Sequence, residues 1–198
     1  LEFRRVLFRS LNIRFRENYE YRYYYAQRIG PVTARIIEPT YRTDFPQHVD
    51  EIVVFDAEML NTRPEDEEDQ KNFTPLYGCL KTIIPTEYGE SWFCEGVMPG
   101  EEQFNAFREA LRERNWYYWS NSNDDYTLTD SHQGEDAQPL PAFYFVISAP
   151  RSVSKGDIDK TLHELTADWK HPLCWWRLAK EAGANEEKHV AISERYGM

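Results

Sequence analysis

The sequence predicts an α+β fold: a mixed, largely antiparallel sheet of about six to eight strands, one amphipathic helix at about 101–114, and a C-terminal helical pair. Three observations lead there. Short apolar or alternating runs recur between Gly, Pro and polar clusters, as strands require. One segment carries an unambiguous helical stripe, with Phe104, Phe107 and Leu111 at i, i+3 and i+7. Two further helical patterns, 155–169 and 173–182, lie near the end of the chain.

Residues 1–10, LEFRRVLFRS, have the look of a translated sequencing adapter and are expected to be non-native, which makes the chain a metagenomic fragment and leaves 11–198 as a single globular domain. Asn12–Tyr25 keeps tyrosine at 19, 21, 23 and 25, a period of two that suits a strand. Gly30-Pro31 is a turn signal, and 32–37 reads as the partner strand. Ile52–Phe55 is a short apolar run, long enough for a buried strand. Residues 61–72 read as a charged loop. Residues 76–84 and 91–95 read as the two arms of a hairpin about Gly89, which brings Cys79 towards Cys94.

In the helix that follows, Glu101 and Glu102 open it and Arg112 and Arg114 close it, as the helix dipole favours. Residues 115–119 and 126–128 read as strands, and 142–148, AFYFVIS, as a central one. Ile158, Leu162, Leu165 and Trp169 hold a helical period over 155–169. His171-Pro172 breaks it, and a second helix runs to Gly183. The last fifteen residues carry little pattern.

The 198 residues are 41% apolar and 15% aromatic, enough to bury a core, and no apolar run reaches the ~18 residues of a membrane-spanning helix. The net charge of −11 opposes a general affinity for nucleic acid or anionic membranes. It is unevenly spread. Residues 11–42 hold six arginines against three glutamates, whereas 43–198 are strongly acidic. Arginine and tyrosine together on one sheet face would suit single-stranded nucleic acid; a sheet face with Arg stems over Tyr rings is the plainer expectation. Three cysteines with no CxxC spacing point to reduced, buried thiols and a cytoplasmic protein.

The segment most suggestive of chemistry is HVDEIVVFDAEML, 48–60. Asp56 and Glu58 follow the apolar run two residues apart, so an extended backbone sends both carboxylates to one side. An apolar strand followed by Asp-x-Glu resembles the first motif of the DEDD 3′–5′ exonucleases. The order of elements that follows is similar, with Asn121–Asp125 in place of the second motif and His163–Asp168 matching the third. The resemblance implies Asp56, Glu58, Asp125 and Asp168 as ligands of Mg2+ or Mn2+ and His163 as general base. It departs at Asp124, where the family has an aromatic residue, and at 126–141, where the family continues into a helix.

Without that family, each residue has an ordinary place at a strand end, in a turn or on a solvated helix face, and no cofactor is expected. The first functional expectation is then a soluble, acidic, non-catalytic interaction protein of viral or microbial origin, its partner a basic protein. The metal-dependent nuclease is the alternative.

Overall fold

The computed structural model describes residues 10–40, 42–134 and 137–198; the expected adapter segment lies almost wholly outside them. The fold is α+β. Its strands are β1 (Ser10–Glu17), β2 (Glu20–Arg28), β3 (Thr33–Ile36), β4 (Ile52–Met59), β5 (Leu76–Ile84), β6 (Tyr88–Val97), β7 (Tyr117–Ser120), β8 (Thr127–Leu128) and β9 (Leu140–Pro150). Five α-helices occur among the described residues: α1 (Glu67–Lys71), α2 (Glu101–Glu113), α3 (Lys155–Leu165), α4 (Trp176–Ala182) and α5 (Glu186–Tyr196). None is long and apolar enough to cross a membrane. The chain divides into two compact units, one up to Glu87 and one from Tyr88. The sequence, read as one domain over 11–198, carries no Gly- or Pro-rich linker at that boundary.

The first unit is a closed five-stranded barrel in the order β1-β2-β3-β4-β5, with β1 returning to β5. Neighbours pair antiparallel except β1 and β5, which close the barrel in parallel through Asn12–Arg14 and Leu76–Gly78. Closure leaves no sheet edge unpaired, the usual way a small β-structure avoids edge-to-edge association. Alternation along the strands fills the interior: Leu11, Ile13 and Phe15 from β1, Tyr24 and Ala26 from β2, Ala34 and Ile36 from β3, Val53 and Phe55 from β4. Asn12–Tyr25 is therefore two strands, not one. Asn18 and Tyr19 sit at φ 45° and 68° and turn the chain in two residues, the geometry of a tight hairpin, where asparagine tolerates the left-handed region. The charged loop 61–72 contains the short α1, whose N-terminus is capped by the Asp66 carboxylate accepting from Glu68 and Asp69 N–H.

The hairpin expected of 76–84 and 91–95 does not form. β5 pairs with β1 and β4, whereas β6 pairs with β9. Cys79 and Cys94 accordingly belong to different units.

The second unit is built on β9. β6 and β7 flank it antiparallel, and the two-residue β8 pairs with its N-terminal end. Phe143, Phe145 and Ile147 of β9, with Trp92 and Cys94 of β6, form the core with Phe107 and Leu111 of α2, Ile158 and Leu162 of α3 and Leu178 and Ala179 of α4. A second cluster joins Val97, Leu128 and Ala142 to Ile192 and Tyr196 of α5. α2 matches the expected helix to within a residue, and Gln103 Oε1 accepts from the Gly100 N–H at its start. α3 ends at Leu165 rather than Trp169, and α4 starts at Trp176. The low-pattern C-terminus is α5, so the expected pair is a trio. Asn185 precedes α5 in the left-handed region, and the Arg195 guanidinium binds the buried Asp130 carboxylate with two hydrogen bonds.

A side chain at Gly96 of β6 would crowd the segment around Leu173. A Cβ there lies 2.9 Å from Leu173 Cδ1 and 3.3 Å from Leu173 Cα. This segment is held against β6 by paired hydrogen bonds between Glu95 and Cys174. Gly96→Ala is expected to push it away and lower stability by about 2 kcal/mol, read as a lower midpoint in thermal unfolding.

Candidate functional site

The five residues of the expected nuclease site are distributed over both units. Asp56 and Glu58 stand exposed on the irregular second half of β4, where Asp56 Oδ1 accepts from the Glu58 N–H at 3.1 Å. Asp125 occupies an exposed turn after β7. Asp168 is exposed beyond α3, and its backbone carbonyl accepts from Gln103 Nε2.

His163 has different company from that expected. It lies on α3 with Asp159 one turn before it, Nε2 to Oδ2 3.8 Å, and its ring stands edge-on to Trp175. His189 of α5 completes the group. One nitrogen or oxygen atom from each of Asp159, His163 and His189 lies within 4.8 Å of the others. Among the described residues this is the group of His, Cys, Asp and Glu close enough to share an ion, and it includes none of the four expected carboxylates. Asp159 Oδ1 accepts from Trp175 Nε1–H at 2.7 Å, which fixes the carboxylate and leaves Oδ2 facing the histidines.

The donor set does not suit a metal. His189 Nδ1 accepts a hydrogen bond from the Trp175 backbone N–H at 3.2 Å, so in the neutral ring the proton sits on Nε2. A ligating histidine has the reverse arrangement: a bare nitrogen towards the metal and an N–H towards an acceptor. Burial pushes the His189 pKa down to about 4, with His163 nearby acting in the same direction. Burial likewise lowers that of His163. Both rings are therefore neutral at neutral pH, and the Nε2 atom of each is buried without a hydrogen-bond partner among the described residues. The i, i+4 spacing of Asp159 and His163 is visible in the sequence as one face of a helix. His189, 26 residues on in the low-pattern segment, left no such signal.

The barrel presents a different surface. Arg14 and Arg16 on β1 lie opposite Tyr23 and Tyr21 on β2, and Asn12 lies opposite Tyr25. Their neighbours Ile13, Phe15, Tyr24 and Ala26 point inward, so these side chains share the outer face. Tyr21, Tyr23 and Tyr25 are 53%, 52% and 45% exposed. The Arg14 guanidinium lies 4.3 Å from the Tyr21 ring centre, a cation–π contact. Most other charges of this region are paired: Arg22 with Glu20, Arg35 with Asp50, Arg42 with Asp44, and Glu17 and Glu51 with the buried His48. Arg14 and Arg16 form no ion pair among the described residues.

No family model and no curated protein matches the chain. A solved structure described as a hypothetical protein from Neisseria gonorrhoeae is similar over 85% of this chain and 93% of that one, at 10% identity and a TM-score of 0.32.

Proposed function

We propose that the chain is a non-catalytic interaction protein and that the outer face of β1 and β2 is its binding surface, taking single-stranded nucleic acid. The supporting observation is the register of the two strands, which sets three half-exposed tyrosine rings beside two unneutralised guanidiniums. Tyrosine rings offer stacking platforms to any base, and arginines follow the phosphates. The acidic character of the chain does not oppose this locally. Six arginines and six carboxylates balance over residues 10–55, and the excess acid lies beyond them. At physiological salt, charges more than ~8 Å away are largely screened.

The test is fluorescence anisotropy of a labelled oligothymidylate in a salt series that includes physiological ionic strength. Micromolar binding is expected, and Tyr21→Ala and Tyr23→Ala should each weaken it roughly tenfold, since one stacked base is worth about 1–3 kcal/mol. The two arginines predict a shallow salt dependence, with a log–log slope of about −1.4. Binding that survives both tyrosine substitutions, or is absent at high micromolar protein, rules the surface out. Capture of a basic protein through the acidic remainder of the chain would then become the leading reading.

A further inference from the structure

His163 and His189 line a pocket of about 290 Å3 whose walls include Trp169, Pro172, Leu173, Trp175 and Ile192, with Lys188 also on its lining; Asp159 stands behind His163, its Oδ2 3.8 Å from Nε2. His189 is fully buried, and its Nε2–H has no acceptor among the described residues. A buried donor left unmade costs about 1–3 kcal/mol, so the arrangement calls for something to accept from it. The neighbouring atoms define what that something is. His189 Nε2–H donates. His163 Nε2, also buried and unpartnered, donates in the tautomer that carries the ring proton on that nitrogen. Asp159 Oδ2 accepts.

The socket therefore offers two donors and one acceptor. One such atom from each residue lies within 4.8 Å of the others, with His163 Nε2 3.8 Å from Asp159 Oδ2, a spacing that one shared oxygen can bridge. An oxygen placed there takes two hydrogen bonds through its lone pairs and gives one through its proton. That is the inventory of a hydroxyl group. A water molecule matches less well, because its second proton would be left facing the apolar wall. An alcohol carries carbon in that direction.

We propose that this socket binds the hydroxyl group of an uncharged organic ligand whose apolar ring fills the pocket against Trp169, Pro172, Leu173 and Ile192. Two neutral imidazoles and one hydrogen-bonded carboxylate recognise the hydroxyl by its donor and acceptor pattern. Apolar contact with the walls holds the body of the ligand, as in most small-molecule sites.

The probe is phenol, with fluorobenzene as a ring of similar size that lacks the hydroxyl. Binding is followed through the imidazole 15N resonances of His163 and His189, which report tautomer and hydrogen bonding directly. Millimolar phenol is expected to shift both histidines, while fluorobenzene leaves them unmoved. Asp159→Asn keeps the size of the side chain and its bond to Trp175 but turns a donor towards the socket, and should weaken phenol at least tenfold. His163→Phe, on the half-exposed side, should do the same should the buried substitution fail to fold. Equal responses to the two probes, or none at millimolar phenol, would overturn the proposal and leave the socket to a water only.

Discussion

His48→Ala is expected to lower the stability of the barrel by about 3–5 kcal/mol, because it strips the shared partner from two buried carboxylates. His48 Nδ1 lies 2.8 Å from Glu51 Oε2, and Nε2 is hydrogen-bonded to Glu17. All three side chains are less than a tenth exposed as residues. Glu17 also accepts from Tyr24 Oη at 3.0 Å and Glu51 from Thr82 Oγ1 at 3.1 Å, while the imidazole stacks on Phe15 at 4.0 Å. Without the ring, those two hydroxyls remain as the only side-chain donors described for the pair. Burial alone would lower the His48 pKa, but the hydrogen bonds and charges of Glu51 and Glu17 outweigh it and raise it. The contribution of this network is therefore complete below the unfolded value of about 6.5 and is lost as pH rises through the raised folded value. Urea unfolding of the barrel followed by tyrosine near-UV circular dichroism measures both effects. A variant as stable as the wild type, or a barrel that firms up on alkalinisation, would contradict the role given to His48.

The second unit is expected to respond to pH in the opposite sense. His189 is neutral in the fold, with a pKa near 4, whereas the unfolded chain takes up a proton near 6.5. Stability held above pH 6.5 is thus withdrawn as pH falls towards 4, by about 2 kcal/mol for His189. The part-exposed His163, its pKa also lowered by burial, adds to the loss in the same direction. All six tryptophans of the chain lie in this unit, so their fluorescence reports it separately from the barrel. The urea midpoint read at tryptophan should fall between pH 7 and pH 4.5, and His189→Gln should flatten that dependence. A midpoint indifferent to acid would show that the ring is solvated rather than held neutral.

The elements that the sequence displayed most clearly are those whose own residues determine them. The stripe of Phe104, Phe107 and Leu111 marks α2, and the unbroken apolar run of 142–148 marks the strand buried in the middle of its sheet. What stayed hidden depended on partners far along the chain. β5 and β6 follow one another across a turn and read as a hairpin, but each pairs with strands elsewhere, and no local signal records that choice. The hairpin at Asn18–Tyr19 was masked because the tyrosine period runs straight through it. α5 was faint because it buries only His189, Ile192 and Tyr196, and one of the three is polar.

The site followed the same division. Asp56, Glu58 and the Arg–Tyr alternation were visible as local spacing. The socket joins α3 to α5 across 26 residues, and the His48 network joins residues 17, 48, 51 and 82, so neither has a motif.

β9 fixes the timetable by which the second unit is made. β6, β7 and β8 each have β9 as their pairing strand, yet all three precede it on the chain. On a ribosome adding about 5–20 residues per second, β6 waits several seconds, open along its edges, before Leu140–Pro150 emerges. Trp92 and Cys94 stay uncovered by their sheet partners through that interval. A pause before Leu140 lengthens the window in which nascent chains adhere to one another or to a chaperone, and a stop there releases strands with nothing to pair against.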